Sequence, residues 1–442
     1  MISCLARCKR GLLALAVGAL CAFSFGQAPA STSALTLEDA LGLAIDRNGN
    51  LRSALADLRS SQSARRSAYG AFLPTLTPSY SLSTGRTNFQ TGAGIGGDGR
   101  QENADITLSW RLLDSGDRST RFAESRAQVQ VSEAQLQNQL RTILFAVHQR
   151  YYDALRAEEI LRVRQAQQER AAKILDQTKT RVEVGDDAPI NILQANADFL
   201  NARVEVLTAN NRTATTRAEL KAVIGWDVTE ALPELARPGG QPEAVPPTEL
   251  EEAFREATVR RPDVRSQLAT IQSAKINIRQ ARIDGAVNFS LDANLRKNFA
   301  EDVFDRSNLQ FTASIPLFDG RRSQETVRQR ELVLESREAG LQQLLREVRA
   351  EVESAYVEFR QNQERLMAAQ AALEAATKNF EAASESQTLG ASDLIDVVTA
   401  QVSLVTAESN RVEAFYDFLI SEVRWKLVTG QPLPGEEEFA SL

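Results

Sequence analysis

The chain has 442 residues, with 51 Lys and Arg against 58 Asp and Glu, a net charge of −7, three cysteines and one histidine, His148. An acidic chain without a basic stripe is a poor partner for nucleic acid, and one histidine leaves a Ser-His-Asp or Cys-His centre nearly without parts. No stretch beyond the N-terminus runs 18 apolar residues without charge, so the sequence predicts no transmembrane helix.

Arg7, Lys9 and Arg10 precede an apolar run from Gly11 to Phe25 and small residues around Gly26 to Ala30. That layout predicts a secretory signal peptide over 1–30, with cleavage after Gly26 or Ala30. Cys4, Cys8 and Cys21 all lie inside it, so the mature chain offers no disulfide or thiolate site and carries a net charge of −10 (48 basic against 58 acidic residues). Cys21 invites lipid attachment, but Leu20 stands where acylation wants a small residue.

Residues 38 to about 70 predict a helix, with apolar positions at Leu41, Ala44, Ile45, Leu51, Leu55 and Leu58. After Pro74 the period changes to two: Leu76, Pro78, Tyr80 and Leu82 alternate with Thr77, Ser79, Ser81 and Ser83, predicting a strand over about 73–89. The segment from Gly85 to Asn103 reads as an exposed loop, and its Gly94-Ile95-Gly96-Gly97 lacks the lysine of a phosphate-binding loop. Ile106, Leu108, Trp110 and Leu112 then alternate with polar residues in a strand over about 102–114.

From Arg118 to Val184 there is no proline or glycine. At ~1.5 Å per residue such a helix reaches roughly 100 Å, far beyond a globular domain. Leu136, Leu140, Ile143, Val147, Tyr151 and Ala154 recur at coiled-coil spacing, with His148 a packed or half-exposed helix residue among them. The helix stops near Val184-Gly185, and a returning helix begins near Pro189, with Leu193, Ala197, Leu200 and Val204 along one face. Residues 231–249, with Pro233, Pro238, Pro242, Pro246 and Pro247, read as an irregular linker between a first unit at 31–230 and a second at 250–430.

The second unit repeats the first. Leu250-Glu251-Glu252-Ala253-Phe254 restates Leu37-Glu38-Asp39-Ala40-Leu41. Strands follow at about 286–298 (Val287, Phe289, Leu291, Ala293, Leu295) and 307–318 (Leu309, Phe311, Ala313, Ile315, Leu317). A second long helix carries Leu366, Ala369, Leu373, Ala376, Phe380 and Ala383 and turns near Leu389-Gly390; Val398, Val402 and Val405 line its return. An acidic tail occupies 431–442. Four ten-residue segments, each apolar on one face and polar on the other, match the signature of a transmembrane β-barrel, while a half-buried sheet in a soluble domain gives the same alternation.

Acidic residues follow both turns: Asp186 and Asp187, then Asp393 and Asp396. In a ring of copies they would form a charged collar that selects ions; at a helix N-terminus they equally complement the dipole. The first three fit the dipole role better, whereas Asp396, set among Ile395, Val397 and Val398, fits either.

The order of these pieces, twice over, resembles the TolC-like outer-membrane efflux protein family. The resemblance rests on Leu37-Glu38-Asp39-Ala40-Leu41 with Ala44, Asn48 and Asn50, on Leu73-Pro74, on Ile315-Pro316-Leu317-Phe318-Asp319-Gly320, and on the turns at Val184-Gly185 and Leu389-Gly390. It implies a mainly α fold with a small β part: a duplicated helix–strand–strand–long hairpin unit in a homotrimer. Four strands per chain would complete an outer-membrane barrel of about twelve, continued by a periplasmic helical barrel. It implies a passive exit duct for efflux or type I secretion, without catalysis, cofactor or metal, whose partners are a periplasmic adaptor, an inner-membrane efflux pump or ABC exporter, and outer-membrane lipid. The adaptor would meet tips at Gly185, Asp186, Gly390 and Ala391. The entrance constriction would fall on Asp396, Thr399, Asn191 and Gln387, with Thr399 where a second acid is expected, and Ile190 and Ser392 at other closing positions. Trp110, Phe289, Leu291, Phe311 and Ile315 would face lipid, with Tyr80 beside them, and Ser79, Ser81, Asp292, Asn294 and Thr312 the barrel interior. The rival reading is a periplasmic coiled-coil scaffold without a pore.

Overall fold

The computed structural model describes residues 34–87, 97–185, 187–227, 229–239, 249–283, 287–298, 306–315, 317–389 and 391–440. The expected signal peptide, Asp186, Pro316, Gly390, residues 88–96 and residues 240–248 lie outside them. The first unit comprises α1 (Leu37–Arg47), α2 (Gly49–Gly70), β1 (Thr75–Thr87), β2 (Gly97–Leu113), α3 (Asp117–Glu183) and α4 (Pro189–Ile224). The second comprises α5 (Leu250–Arg260), α6 (Pro262–Ile283), β3 (Asn288–Asn298), β4 (Arg306–Ser314), α7 (Arg322–Thr388) and α8 (Leu394–Thr429), followed by a short α9 (Glu436–Ala440).

The duplication is metrical. Helices of 11, 22, 67 and 36 residues recur with the same lengths in the second unit. A shift of 213 residues carries Leu37 and Gly49 onto Leu250 and Pro262; a shift of 205 carries Asp117 and Pro189 onto Arg322 and Leu394. The eight-residue difference falls between the second and third helix of each unit, where the first spends residues 71–116 and the second only 284–321.

The single helix expected over 38–70 is two. Asn48 takes an extended conformation, and its side-chain oxygen accepts from the backbone N–H groups of Asn50 (2.9 Å) and Leu51 (3.3 Å), so a cap on the second segment breaks the first. Its Nδ2 donates to the Val223 carbonyl at 3.2 Å. α4 thereby ends against the α1–α2 break, and α2 and α4 lie end to end along α3. Arg261 does the same in the second unit: extended before Pro262, it donates from Nη1 to the carbonyl of Val428 at 3.5 Å.

Two strand boundaries also differ from expectation. β2 starts at Gly97, inside the expected loop, because β1 continues to Thr87 and supplies backbone partners as far as the Thr87–Gly97 pair. β4 stops at Ser314 rather than 318, just before Pro316, which brings no N–H to a ladder.

The long hairpins close on small residues. α4 buries Ala195, Ala202, Ala209 and Thr216, one every seven residues, and α8 buries the equivalent Ala400, Ala407, Ala414 and Ser421. Such side chains let the helix backbones approach closely. The α4 stripe expected to pack is therefore the other one: Leu193, Leu200 and Val204 are exposed in the protomer. On α3 the expected stripe from Leu136 to Ala154 is buried throughout, and His148 is 1% exposed. Burying each Leu or Ile of this stripe contributes about 1.5–3 kcal/mol.

The main core joins α1, the middle of α3 and the ends of α4 and α8. It also recruits segments expected to be irregular. Leu232 and Leu235 of the linker are buried, Leu35 pairs with Leu235, and the Tyr151 hydroxyl sits between the carbonyls of Ala236 (2.7 Å) and Leu35 (2.8 Å). The acidic tail is docked as well. Leu433 is buried, and the Arg141 guanidinium donates to the carbonyls of Lys426 (3.1 Å), Leu427 (3.3 Å) and Gln431 (2.7 Å) while pairing with Glu436.

Candidate functional site

The four strands form one antiparallel sheet in chain order, and its register sorts the residues of its helix-proximal part by polarity. Leu76, Leu108, Ala293 and Leu309 form one row across the sheet; Trp110, Leu291 and Phe311 form another. Between them lie polar rows: Thr77, Thr107, Asn294 and Asn308; Ser79, Asp105 and Arg296; Ser290 and Thr312. Side chains alternate faces with period two, so one face is apolar on all four strands and the opposite face polar on all four. Leu76, Tyr80, Ile106, Trp110, Leu309 and Phe311 are exposed in the protomer, a cluster of large apolar side chains of the kind that marks a membrane or partner contact. Phe289 and Phe311 stack at 5.8 Å, Ile315 follows the end of β4, and the Trp110 indole donates to the Phe72 carbonyl at 3.3 Å.

The polar face is internally bonded. Asn294 donates to the Thr107 hydroxyl at 3.0 Å, Ser290 to Asp292 at 3.2 Å, and Arg296 pairs with a buried Asp105. Both β1 and β4 are edge strands within the protomer.

The sheet is clamped to the helices at two equivalent corners. Ser115 and Gly116, then Gly320 and Arg321, take left-handed backbone in succession. Asp114 accepts from the Arg118 N–H (3.0 Å), and Asp319 from the Ser323 N–H (2.9 Å), each capping a long helix. Burial pushes the Asp114 carboxyl up, but the N–H, guanidinium and charge of Arg118 outweigh it and hold it below the usual carboxylate range.

At the far end the two hairpin tips pack together around Ile174, Leu175, Ala195, Leu394 and Val397. Gly185 closes the first tip with φ +81°, which only glycine adopts freely. Asp187 accepts from the Ala188 N–H (2.8 Å) and the Asn191 amide (2.5 Å), so Asn191 is committed to its own tip. Asp396 accepts from the Asp393 N–H at 3.3 Å in a capping box at the start of α8, while remaining exposed beside exposed Thr399. Asn191 and Asp396 are equivalent positions of the two units. Gln387 meets the first unit through its backbone, where Arg181 donates to its carbonyl at 3.2 Å. Ala391 donates its N–H to the Ser386 carbonyl at 2.9 Å, closing the second tip, while Asp186 and Gly390 lie outside the described residues.

Sequence reasoning missed Arg181, the cation that ties one tip to the other. Its signal was available: a basic residue four positions before the glycine of one tip, with no basic counterpart in the other. Among the described residues no group of three or more His, Cys, Asp or Glu could hold a metal ion, and no helix is long and apolar enough to cross a membrane.

The sequence matches the family described as outer membrane efflux protein over residues 40–226 and 253–431, the two units found above. Protein CyaE of Bordetella pertussis is 30% identical over 338 residues, covering 74% of this chain and 69% of that one. Alkaline protease secretion protein AprF of Pseudomonas aeruginosa is 22% identical over 412 residues, covering 90% and 85%. In fold, the chain superposes on the Campylobacter jejuni CmeC outer membrane channel with a TM-score of 0.81 at 17% identity, covering 92% of this chain and 88% of that one.

Proposed function

The chain belongs to the outer membrane efflux protein family, and from that premise we propose that it is the outer-membrane exit duct of a tripartite transport system. It is a channel and not an enzyme: it lowers a barrier by offering a path, and the energy comes from the transporter that loads it. The observation that carries this reading is the sheet, with a band of apolar rows crossing all four strands on one face, polar rows on the other, and both edges open. Backbone groups at an open edge have no partner in hydrocarbon, so such a sheet enters a membrane only when copies close it into a barrel. A homotrimer does so with about twelve strands, the apolar face with Trp110, Phe289, Leu291, Phe311 and Ile315 toward lipid and the polar face lining the lumen.

The helices extend the duct through the periplasm for roughly 100 Å. Their tips, at Gly185, Asp186, Gly390 and Ala391, meet a periplasmic adaptor that links the duct to an inner-membrane pump or ABC exporter. Asp396, Thr399, Asn191 and Gln387 border the constriction there. The exposure of Asp396 and Thr399 on a shared helix start supports this assignment, and the cap that Asp396 supplies is compatible with it. AprF is named for protease secretion and the family for efflux, so one architecture serves polypeptides and small solutes, and the transporter sets the cargo.

The test is single-channel conductance of detergent-extracted protein in a planar bilayer, with and without Asp396→Ala. Discrete cation-preferring openings, less selective in the variant, are expected. Openings indifferent to the variant return Asp396 to a capping role alone. Release from membranes by a salt wash, without detergent, would instead favour the coiled-coil scaffold.

A further inference from the structure

The repeat predicts which residues of two copies face each other where the barrel closes. Both hairpins start with equivalent pairs: Thr75 faces Ser109, and Asn288 faces Ser314. The shifts between these pairs are 213 and 205 residues, the same as those relating the helices. The correspondence of the two units is therefore continuous through the sheet.

Inside the protomer, β2 of the first unit joins β3 of the second. Trp110 faces Leu291, Leu108 faces Ala293, Ile106 faces Leu295, and Thr107 faces Asn294. Among the described residues, the strands left without a second neighbour are β4, the equivalent of β2, and β1, the equivalent of β3. Moving the observed joint by the two shifts gives the missing one. We propose that β4 pairs antiparallel with β1 of a second copy of this chain in one register: Ile315 opposite the partner subunit's Pro78, Ala313 opposite the partner subunit's Tyr80, Phe311 opposite the partner subunit's Leu82, and Thr312 opposite the partner subunit's Ser81.

The occupant is argued from chemistry as well as symmetry. The transferred register sets apolar side chains against apolar ones and Thr312 against serine, so both faces continue unbroken across the joint. A slip of one residue would set Phe311 against a serine and turn the row over. Tyr80, Leu82, Phe311 and Ile315 are all more than half exposed in the protomer, as an unfilled joint requires. Closure onto the same chain is excluded by distance, because β1 and β4 are separated by two strands at ~4.8 Å each.

This inference rests on the duct reading, and cysteine cross-linking separates the two. All three native cysteines lie within the first 21 residues, so the rest of the chain is a blank background. Opposed residues of an antiparallel pair fall within the Cα range a disulfide spans. The full-length double variants Ala313→Cys with Tyr80→Cys, and Thr312→Cys with Ser81→Cys, are oxidised in outer membranes. The second pair replaces only small lumen-side residues, so it reports even where loss of Tyr80 harms assembly. Covalent oligomers on denaturing gels are expected for both, at least fivefold above the pairs offset by two, Phe311→Cys with Tyr80→Cys and Ala313→Cys with Leu82→Cys, and none from single variants. A maximum at an offset pair, or no cross-link in protein that still migrates as an oligomer, overturns the register. Protein that never forms a detergent-stable oligomer overturns the duct reading instead, and the register with it.

Discussion

Gly225 and Arg47 approach so closely that a Cβ on Gly225 would stand 2.8 Å from the Cβ of Arg47, and Gly430 stands in the same relation to Arg260 at 2.7 Å. These contacts are where α4 meets the α1–α2 break and α8 the α5–α6 break. Both glycines are left-handed, with φ +68° and +77°.

Replacing Gly225 with Ala should therefore destabilise through backbone and packing together. The left-handed conformation costs about 1–2 kcal/mol for alanine, and the clash with Arg47 adds to it. A lowered thermal midpoint is expected for Gly225→Ala and Gly430→Ala. Gly49→Ala is the control: a Cβ there meets nothing within 4 Å, so it should be neutral or raise the midpoint.

Arg141 should prove the clasp of the C-terminal segment. Its side chain is 8% exposed, holds three carbonyls at the end of α8, and pairs with Glu436. Arg141→Met leaves those acceptors and the carboxylate without their cation, a loss of about 3–5 kcal/mol. Limited proteolysis should cut within 431–442 in the variant and spare the parent, and equal protection of both would refute the clasp.

His148 should make the core acid-sensitive. Its Nδ1–H donates to the Leu144 carbonyl at 2.8 Å, and Nε2 has no partner among the described residues. Burial holds the imidazole pKa below its ordinary 6.5 despite that bond, and the charge of Lys426 lowers it further. The folded state thus resists protonation. Its contribution is complete above about pH 6.5 and is lost as the pH falls toward the depressed folded value. His148→Leu should flatten the dependence of thermal stability as the pH falls below about 6.5; an unchanged slope would assign it to other groups.

Leu291 sits in the middle of an apolar row, between Trp110 and Phe311. Leu291→Arg should cost about 2–4 kcal/mol in hydrocarbon and lower the yield of detergent-stable oligomer from the outer membrane. Thr312→Arg, one residue over on the polar face of β4, should assemble normally. Equal yields from the two would remove the lipid-facing assignment.

Much of this molecule is written in local pattern, because the pattern is the physical cause. Period-two alternation specifies strands with one apolar face whatever their partners. An uninterrupted run from Arg118 to Val184 specifies a helix far longer than a domain, and the recurrence of Leu-Glu-x-Ala, strand pair and Val-Gly or Leu-Gly tip specifies the duplication. Tertiary structure decided what depends on a partner distant in sequence. It chose the alanine face of α4 over the leucine face, since close approach to α3 rewards small side chains within the protomer and leaves Leu193, Leu200 and Val204 uncovered. It split the first helix at Asn48, whose amide reaches a carbonyl 175 residues away. It drew Leu235 and Leu433 out of segments that read as linker and tail, because a buried leucine stabilises wherever a core has room, and no periodicity in the chain announces where that room will be.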